Sequence, residues 1–298
     1  MATAKVEKRT SRQGVNAKVG LALGATGTDV DALQGYLKKF GYLGEAPPAG
    51  AVAQESHSII DARPVAKAGK FDDSTVEALR QFQAMAGLPV TGVFDEATKA
   101  KTSAPRCGNP DVSSFVASGG RWATTDLTYA FSEFSPDLNP AQCRQAVHQA
   151  FSTWAGWTRL TFREGPAATA QIIIRFVTGD HGDGFPFDGG SGVLAHAFFP
   201  GTPPAAPAPI QGDTHFDEAE TWTLNVPPGA GQIDLTTVAI HEFGHALGLN
   251  HSPVAGAVMQ AFYGGPRRVL HSDDVNGIAS IYGGYNIAEA SWYMAPPF

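Results

Sequence analysis

The sequence is poor in cysteine, in long apolar runs and in excess positive charge, and each shortage excludes a class of protein. Two cysteines in 298 residues rule out a disulfide-rich scaffold. No apolar run approaches the length of about 18 residues that marks a transmembrane helix. Acidic residues number 28 against 21 basic ones, which leaves no electrostatic footprint for nucleic-acid binding. The hydrophobic fraction of 43% is ample for a buried core.

The amino-terminal segment also lacks a good signal-peptide core. Its apolar patch, Val19 to Leu23, is short and is broken by Gly20, whereas a secretion signal has a continuous apolar segment. Three interpretations stay open: the signal has been removed, secretion uses another route, or the protein is not secreted. We expect residues 1–27 to form a flexible polar arm.

The remaining sequence divides into two regions, which together predict an α+β protein. Residues 28–104 carry three short segments with helical spacing, and the polar residues around Asp72 and Asp95 are placed to cap the second and the third. From residue 112 onward, strand patterns alternate with helical ones, at 127–131, 139–157, 160–162, 171–177 and 272–282.

Two long stretches show little regular pattern. Residues 45–70 are rich in Ala, Pro and Gly and are expected to form a loop. Residues 179–232 contain many Gly, Pro, His and Asp residues. So long an irregular stretch in a compact domain needs something to hold it, and bound metal ions would do so.

The segment HEFGHALGLNH, residues 241–251, predicts a metal site. His241 and His245 are four residues apart and therefore lie on one helix face, where both imidazoles can bind one zinc ion. Gly248 lets the chain leave the helix and return His251 as a third ligand. Glu242 is then placed to act as general base toward a water molecule in the fourth position. An amphipathic helix with incidental histidines is the alternative, and the added glycine and third histidine make it much less favoured.

With Met259 downstream as a Met-turn, this motif resembles the zinc helix of the matrixins, the matrix-metalloproteinase branch of the metzincins. Other stretches resemble the same family: LTYAFSEFSPDL (127–138), TWAGWTRLTF (153–162), GDHGDGFPFDGGSGVLAHAFFPG (179–201), DTHFDEAETW (213–222) and DDVNGIASIYG (273–283). The resemblance implies a peptidoglycan-binding-like three-helix prodomain at 28–104, a switch peptide at 105–111, a catalytic domain at 112–284 and a tail at 285–298. The catalytic domain should hold a twisted mixed sheet and three helices, and no hemopexin-like domain is expected.

The resemblance also supplies ligands for further ions. The implied ligands of a structural zinc are His181, Asp183, His196 and His215. The implied calcium ligands are Asp188, Asp217, Glu220 and the carbonyl groups of Gly189, Ser191 and Val193. Asp213 resembles a ligand of another calcium site, but the insertion PGTPPAAPAPIQG (200–212) departs from the family pattern there.

The segment PRCGNPD, residues 105–111, resembles the cysteine switch of matrixin propeptides, which usually reads PRCGVPD. A thiolate is a good zinc ligand, so Cys107 would take the open position on the catalytic zinc and silence the enzyme. Arg106 and Asp111 are expected to pair. Asn109 stands where valine is common, a change we expect to matter little. Cys143 is expected to be a free thiol rather than a disulfide partner of Cys107.

These features predict a latent, secreted zinc endopeptidase that cleaves extracellular proteins or peptides as a monomer. Substrate is expected to pair with an edge strand around Val193 to Ala195, and a hydrophobic P1′ side chain is expected in a pocket lined by Thr237 and the Ala261–Tyr263 wall. The competing hypothesis is a non-catalytic cell-wall-binding protein with a vestigial zinc domain, in which the prodomain binds glycan. Directly before a switch, we favour a scaffold role for the prodomain.

Activation is expected to require two cleavages. The first is predicted within residues 45–70, because exposed loops of this composition are easily cut. The last is predicted between Val112 and Trp122, after which the new amine is expected to pair with Asp273 or Asp274.

Overall fold

The computed structural model describes residues 14–44, 63–112, 120–201 and 210–284. Most of the loop predicted for the first cleavage lies outside these residues. So do 113–119 within the predicted final cleavage window, 202–209 of the insertion, and the tail at 285–298.

Three helices form the prodomain, as predicted: α1 (Thr28–Lys39), α2 (Asp73–Met85) and α3 (Glu96–Thr102). Asp72 and Asp95 cap α2 and α3 by accepting hydrogen bonds from the backbone N–H three residues on, which satisfies donors that a helix leaves unpaired. The apolar faces of α1 and α2 bury Leu33, Leu37 and Phe82 completely.

Residues 14–27 do not form the expected arm. Val15 and Ala17 are buried in the prodomain core. The N–H of Val15 donates to Thr102 Oγ1, and Lys99 Nζ donates to the Ala17 carbonyl. Leu21 and Ala25 are partly buried against the same core. The prediction failed because these four residues are unevenly spaced and produce no periodic pattern.

A six-stranded mixed sheet crosses the second domain. Its strands are β1 (Arg106–Cys107), β2 (Asp126–Phe131), β3 (Thr161–Glu164), β4 (Ile172–Val177), β5 (Val193–Ala197) and β6 (Thr214–Asp217). Their order is β1-β5-β6-β4-β2-β3, and β5 is antiparallel to β6 whereas the other pairs are parallel. A separate pair joins β7 (Trp222–Thr223) and β8 (Ile233–Asp234). The stretch 179–232 is therefore more regular than expected, because it contains β5 and β6.

Three helices pack in this domain: α4 (Pro140–Ala155), α5 (Leu235–Ala246) and α6 (Ser272–Tyr282). Asn139 and Gln142 form a capping box at the start of α4. Phe151 of α4 stacks on Phe243 of α5 with ring centroids 3.9 Å apart, and Trp154 Nε1 donates to the Ile240 carbonyl at 2.9 Å. Every residue of α5 is buried. The fold is α+β, as predicted.

The prodomain core continues into the second domain. Val177, Phe187, Val193, Ala261 and Phe262 belong to the same apolar cluster as the buried faces of α1 and α2. No helix within the described ranges is long and apolar enough to cross a membrane.

Candidate metal centres

Three histidine rings converge at the carboxyl end of α5. Asp234 caps the helix by accepting from the Thr237 N–H, and His241 and His245 follow on one face. Gly248 has φ +106°, a dihedral that glycine adopts without strain, and the chain turns there as predicted. The turn brings back His251, whose Nε2 lies 3.2 Å from Nε2 of His241. Nε2 of His245 lies 3.2 Å from the same atom.

The surroundings of these rings fix which nitrogen carries the proton. Nδ1 of His241 lies 2.8 Å from the Val258 carbonyl, and Nδ1 of His245 lies 2.6 Å from the Leu249 carbonyl. A carbonyl only accepts, so each Nδ1 must be the donor, and each Nε2 then presents a lone pair. Burial also lowers the pKa of His241 to about 3, which keeps the ring neutral. Facing lone pairs at 3.2 Å repel unless a cation lies between them, so this donor set fits a metal ion.

Glu242 lies beside this cluster with an unsatisfied carboxylate. Its Oε1 is buried and has no hydrogen-bond partner among the described residues, and its Oε2 lies 3.4 Å from Cys107 Sγ. Burial raises the pKa of Glu242 to about 8. An orphaned buried oxygen beside three convergent imidazoles is what a site built for a metal and a water molecule would leave.

Cys107 completes the cluster. Its Sγ and one nitrogen from each of His241, His245 and His251 all lie within 4.8 Å of one another. The thiol is free and buried, and the Asn109 N–H donates to Sγ at 3.3 Å. Burial and the neighbouring Glu242 carboxylate raise the pKa of the Cys107 thiol.

The predicted switch peptide, residues 105–111, lies between two walls of the cleft. On one side, the N–H of Arg106 donates to the Gly192 carbonyl and that of Gly108 to the Ala195 carbonyl, at 3.0 and 2.8 Å. On the other side, the Cys107 N–H donates to the Ala261 carbonyl at 2.9 Å. The peptide therefore joins β5 as a parallel strand, and β5 would be the edge of the sheet without it.

Asp111 joins the prodomain, the switch and the histidine cluster. Its carboxylate pairs with Arg106, as predicted, and accepts from the Tyr42 hydroxyl. Its Oδ1 also lies 2.8 Å from Nδ1 of His251. Burial alone would raise the pKa of Asp111, but Arg106 and His251 outweigh it and bring the pKa to about 2. The carboxylate is thus a charged anchor for both partners.

Two residues support the cluster from below. Met259 is buried and packs under Gly244, where a Cβ would meet its Sδ at 2.3 Å. Asp274 accepts from the backbone N–H groups of Val258 and Met259 at 2.8 and 3.0 Å. The turn at Val258 and Met259 also supplies the Val258 carbonyl that orients His241.

A second cluster contains the four residues implied for a structural zinc. Asp183 Oδ2 lies 2.8 Å from Nε2 of His181, 2.7 Å from Nε2 of His196 and 2.8 Å from Nδ1 of His215. Nδ1 of His181 lies 2.8 Å from the Gly179 carbonyl, so its Nε2 carries a lone pair toward the carboxylate. Burial lowers the pKa of His196 to about 4, which keeps it neutral. Four closed donors without a free position suit a structural ion.

The implied calcium ligands gather less tightly. Among the described residues, two groups of three or more His, Cys, Asp or Glu side chains have donor atoms within 4.8 Å of one another, and both are the clusters described above. The implied calcium ligands do not form a third. Asp188 Oδ1 accepts from the Val193 N–H at 2.8 Å, and Glu220 accepts from the Ser191 N–H. Asp217 Oδ2 is buried without a partner among these residues, and burial, with Asp188 nearby, raises the pKa of Asp217 to about 6. Gly189, at φ +86°, lies in the turn between Asp188 and Ser191.

Asp213, implied for another calcium site, is bonded to β4. Its Oδ1 accepts from the Ile173 N–H of β4 at 3.0 Å, and burial raises its pKa to about 6.

A pocket opens beside α5 where the specificity pocket was expected. Thr237 and the 261–263 wall, including Tyr263, line this pocket together with Leu194, Gln260 and Arg267; its role in specificity stays a prediction. Arg267 was not anticipated. Its Nη1 donates to the Ala257 carbonyl at 2.9 Å and to Gln260 Oε1 at 2.6 Å. The segment GPRR, 265–268, carries no motif, so only the loop's path after Met259 reveals this residue.

Cys143 is a free buried thiol on α4, as expected.

Comparison with known proteins agrees with this geometry. The sequence profile of the matrixin family matches residues 121–283, and that of a peptidoglycan binding domain matches residues 26–101. Interstitial collagenase of Equus caballus is 47% identical over 212 residues, which are 70% of this chain and 43% of that protein. Hatching enzyme of Paracentrotus lividus is 39% identical over 260 residues, 86% of this chain and 39% of that protein. Matrix metalloproteinase-20 of Homo sapiens is 41% identical over 216 residues, which are 71% of this chain and 43% of that protein.

The chain thus spans about two fifths of the length of these relatives. The matrixin match covers more than half of the chain and contains both histidine clusters, the Met turn and five of the six strands of the sheet, so the chain belongs to the matrixin family.

Proposed function

We propose that this protein is a latent zinc endopeptidase that hydrolyses peptide bonds of extracellular proteins. The observation that carries the proposal is the convergence of the Nε2 atoms of His241, His245 and His251 beside a buried oxygen of Glu242 that has no partner among the described residues. The relatives named collagenase and hatching enzyme support an extracellular substrate.

His241, His245 and His251 would hold the catalytic zinc. When bound, zinc polarises the scissile carbonyl and lowers the pKa of a water molecule toward 7. Glu242 accepts the proton of the attacking water on its carboxylate and passes it to the leaving amine.

Substrate positioning falls to the two walls of the cleft. The backbone of β5 pairs with an extended peptide, as strand addition requires, and the pocket beside Thr237 receives the P1′ side chain. Ala261, Phe262 and Val258 supply apolar lining, which supports the predicted preference for a hydrophobic P1′ residue.

Latency follows from the position of Cys107. Its Sγ occupies the same cluster as the three imidazoles and lies against Glu242, so the thiolate would be the fourth zinc ligand and would displace the water. The prodomain acts as a scaffold that holds the peptide, since its core is continuous with the cleft wall through Val193 and Phe262. Removing it by cleavage between Val112 and Trp122 would release the site.

The other ions serve the fold. His181, Asp183, His196 and His215 would hold a structural zinc. The carboxylates of Asp188, Asp217 and Glu220 would hold calcium, for which hard oxygen ligands are suited. A calcium requirement agrees with an extracellular location.

A wall-binding protein with a vestigial catalytic domain is the rival hypothesis, supported by the match of residues 26–101 to a peptidoglycan binding domain. The intact set of Glu242 and three histidines argues against a vestigial site.

The proposal is tested by cleavage of a collagen-like fluorogenic peptide by the full chain, with and without a thiol-reactive mercurial. We expect activity to appear only after the mercurial and to disappear with a zinc chelator. Glu242→Gln should bind the same amount of zinc but lose activity by about 10²–10⁴-fold, because a general base contributes that much. Absence of cleavage from a zinc-loaded, mercurial-treated chain would favour the wall-binding hypothesis.

A further inference from the structure

Asn109 is held by the substrate-binding strand through both ends of its side chain. Its Nδ2 donates to the Ala197 carbonyl at 2.8 Å, and its Oδ1 accepts from the Ala197 N–H at 3.1 Å. The residue is 6% exposed, so both hydrogen bonds are shielded from water. A primary amide can pair in this way because it carries a donor and an acceptor side by side, as a peptide group does.

These two bonds extend the pairing between the switch peptide and β5. The backbone pairing has already used Gly192 and Ala195 as acceptors for Arg106 and Gly108. Opposite Ala197 the switch peptide turns away from β5 toward Asp111. The Asn109 side chain, in place of the peptide's own backbone, supplies the next pair of hydrogen bonds to β5. An extended substrate along β5 would need the same N–H and carbonyl group of Ala197.

We propose that Asn109 is a positioning residue of the latent state, a side-chain clamp that imitates a substrate backbone on β5 and holds Cys107 over the histidines. The proposal rests on the latency proposed above and adds to it a second anchor that contains no sulfur. Its bonds connect protein to protein, so they persist when metal is removed. A valine at this position could make neither bond and would leave the Ala197 N–H and carbonyl buried and unpaired.

Asn109 also contacts the Cys107 sulfur through its own backbone. The Asn109 N–H donates to Cys107 Sγ, while its side chain is fixed to Ala197. The backbone amide that stabilises the sulfur is therefore held by the same residue that grips the strand, which couples the position of the sulfur to β5.

The test is the rate at which a small maleimide labels each cysteine of the full chain, followed by mass spectrometry. Asn109→Val should label at Cys107 about tenfold faster than the wild-type chain or more, because two net hydrogen bonds of ordinary strength are lost. Asn109→Ser, a smaller change that also cannot bridge Ala197, should behave in the same direction. The acceleration should persist in a chelator, because the clamp contains no metal.

Cys143 is the internal control, because it is the second buried free thiol of the described residues and lies on α4 rather than in the switch peptide. Faster labelling of Cys107 alone supports the clamp. Equal labelling rates in wild-type chain and variants, or equal acceleration at Cys143, would overturn it, since the second result means general loosening of the chain.

Activity separates this proposal from the latency on which it rests. In the variants, peptidase activity should also appear faster after the mercurial is added. If no preparation ever shows chelator-sensitive cleavage while Cys107 labelling is selectively faster, the proposed function fails and the clamp stands.

Discussion

At the scale of single residues, Gly244 shows why the zinc helix has the sequence it has. A Cβ at this position would lie 2.3 Å from Met259 Sδ and 3.0 Å from Trp154 Cζ2. Both neighbours are buried, and the Trp154 ring is fixed by its bond to the Ile240 carbonyl. An added methyl group would therefore have to displace one of these buried side chains, and its absence lets α5 sit directly on the Met turn.

We therefore expect Gly244→Ala to destabilise the catalytic domain by about 1–3 kcal/mol, the usual cost of overpacking a core. The measurement is thermal unfolding followed by tryptophan fluorescence. Gly35→Ala is the matched control, because Gly35 is also inside a helix but a Cβ there meets nothing within 4 Å. The control should be neutral or stabilising by about 0.5–1 kcal/mol. Equal stability of Gly244→Ala and wild-type chain would show that Met259 can move.

The sequence predicts residues whose chemistry depends on spacing and misses those that depend on tertiary contact. His241, His245 and His251 could be assigned because one turn of helix and one glycine fix their geometry. Asn109 in place of valine was expected to matter little, and the structure instead shows two side-chain bonds to Ala197, 88 residues later, which no sequence pattern reveals. Asp111 was expected to meet Arg106, but its contact with His251 depends on how the two domains dock.

At the scale of elements, helices were easier to predict than strands. The caps at Asp72, Asp95 and Asn139 mark helix starts in the sequence itself. β5 and β6 have five and four residues and every one is buried, so they show no alternation of polar and apolar residues. Their histidines also made them look irregular. The loop after Met259 likewise gave no sign that Arg267 turns back into the pocket beside α5.

Arg267 is expected to limit the depth of that pocket. Its side chain is fixed to Ala257 and Gln260, and its backbone N–H donates to Thr237 Oγ1 at 2.8 Å, so the guanidinium cannot swing away easily. Arg267→Ala should raise the ratio of kcat/KM for a P1′ phenylalanine to kcat/KM for a P1′ leucine by about tenfold. The reason is that each added methylene accommodated in an apolar pocket is worth about 1–3 kcal/mol.

The measurement is the kcat/KM ratio for two peptides that differ only in a P1′ phenylalanine or leucine, after removal of the prodomain. Arg268→Ala is the control, because Arg268 pairs with Asp234 and does not line the pocket. A ratio that is the same in Arg267→Ala and wild-type enzyme would mean that another residue closes the pocket.

At the scale of the whole molecule, β5 joins the two candidate metal centres. Its Ala195 and Ala197 hold the predicted switch peptide through Gly108 and Asn109, whereas His196 between them points into the second cluster. Successive side chains of a strand face opposite sides, while backbone groups lie along its edge. We therefore expect the second cluster to fix the strand on which the proposed latency and the proposed substrate binding both depend.

His215→Ala tests this coupling, because His215 lies on β6 and touches neither Cys107 nor the cleft among the described residues. The wild-type chain should contain two zinc ions by elemental analysis, and the variant should contain one. Loss of the ion frees the 181–183 segment from β5 and β6, so we expect a lower unfolding temperature and faster maleimide labelling of Cys107. His245→Ala is the matched control: it should also lose one zinc ion, but β5 should keep its anchor and the unfolding temperature should fall less. If His215→Ala labels at Cys107 as slowly as the wild-type chain, β5 is held by its hydrogen bonds alone, and the two centres are independent.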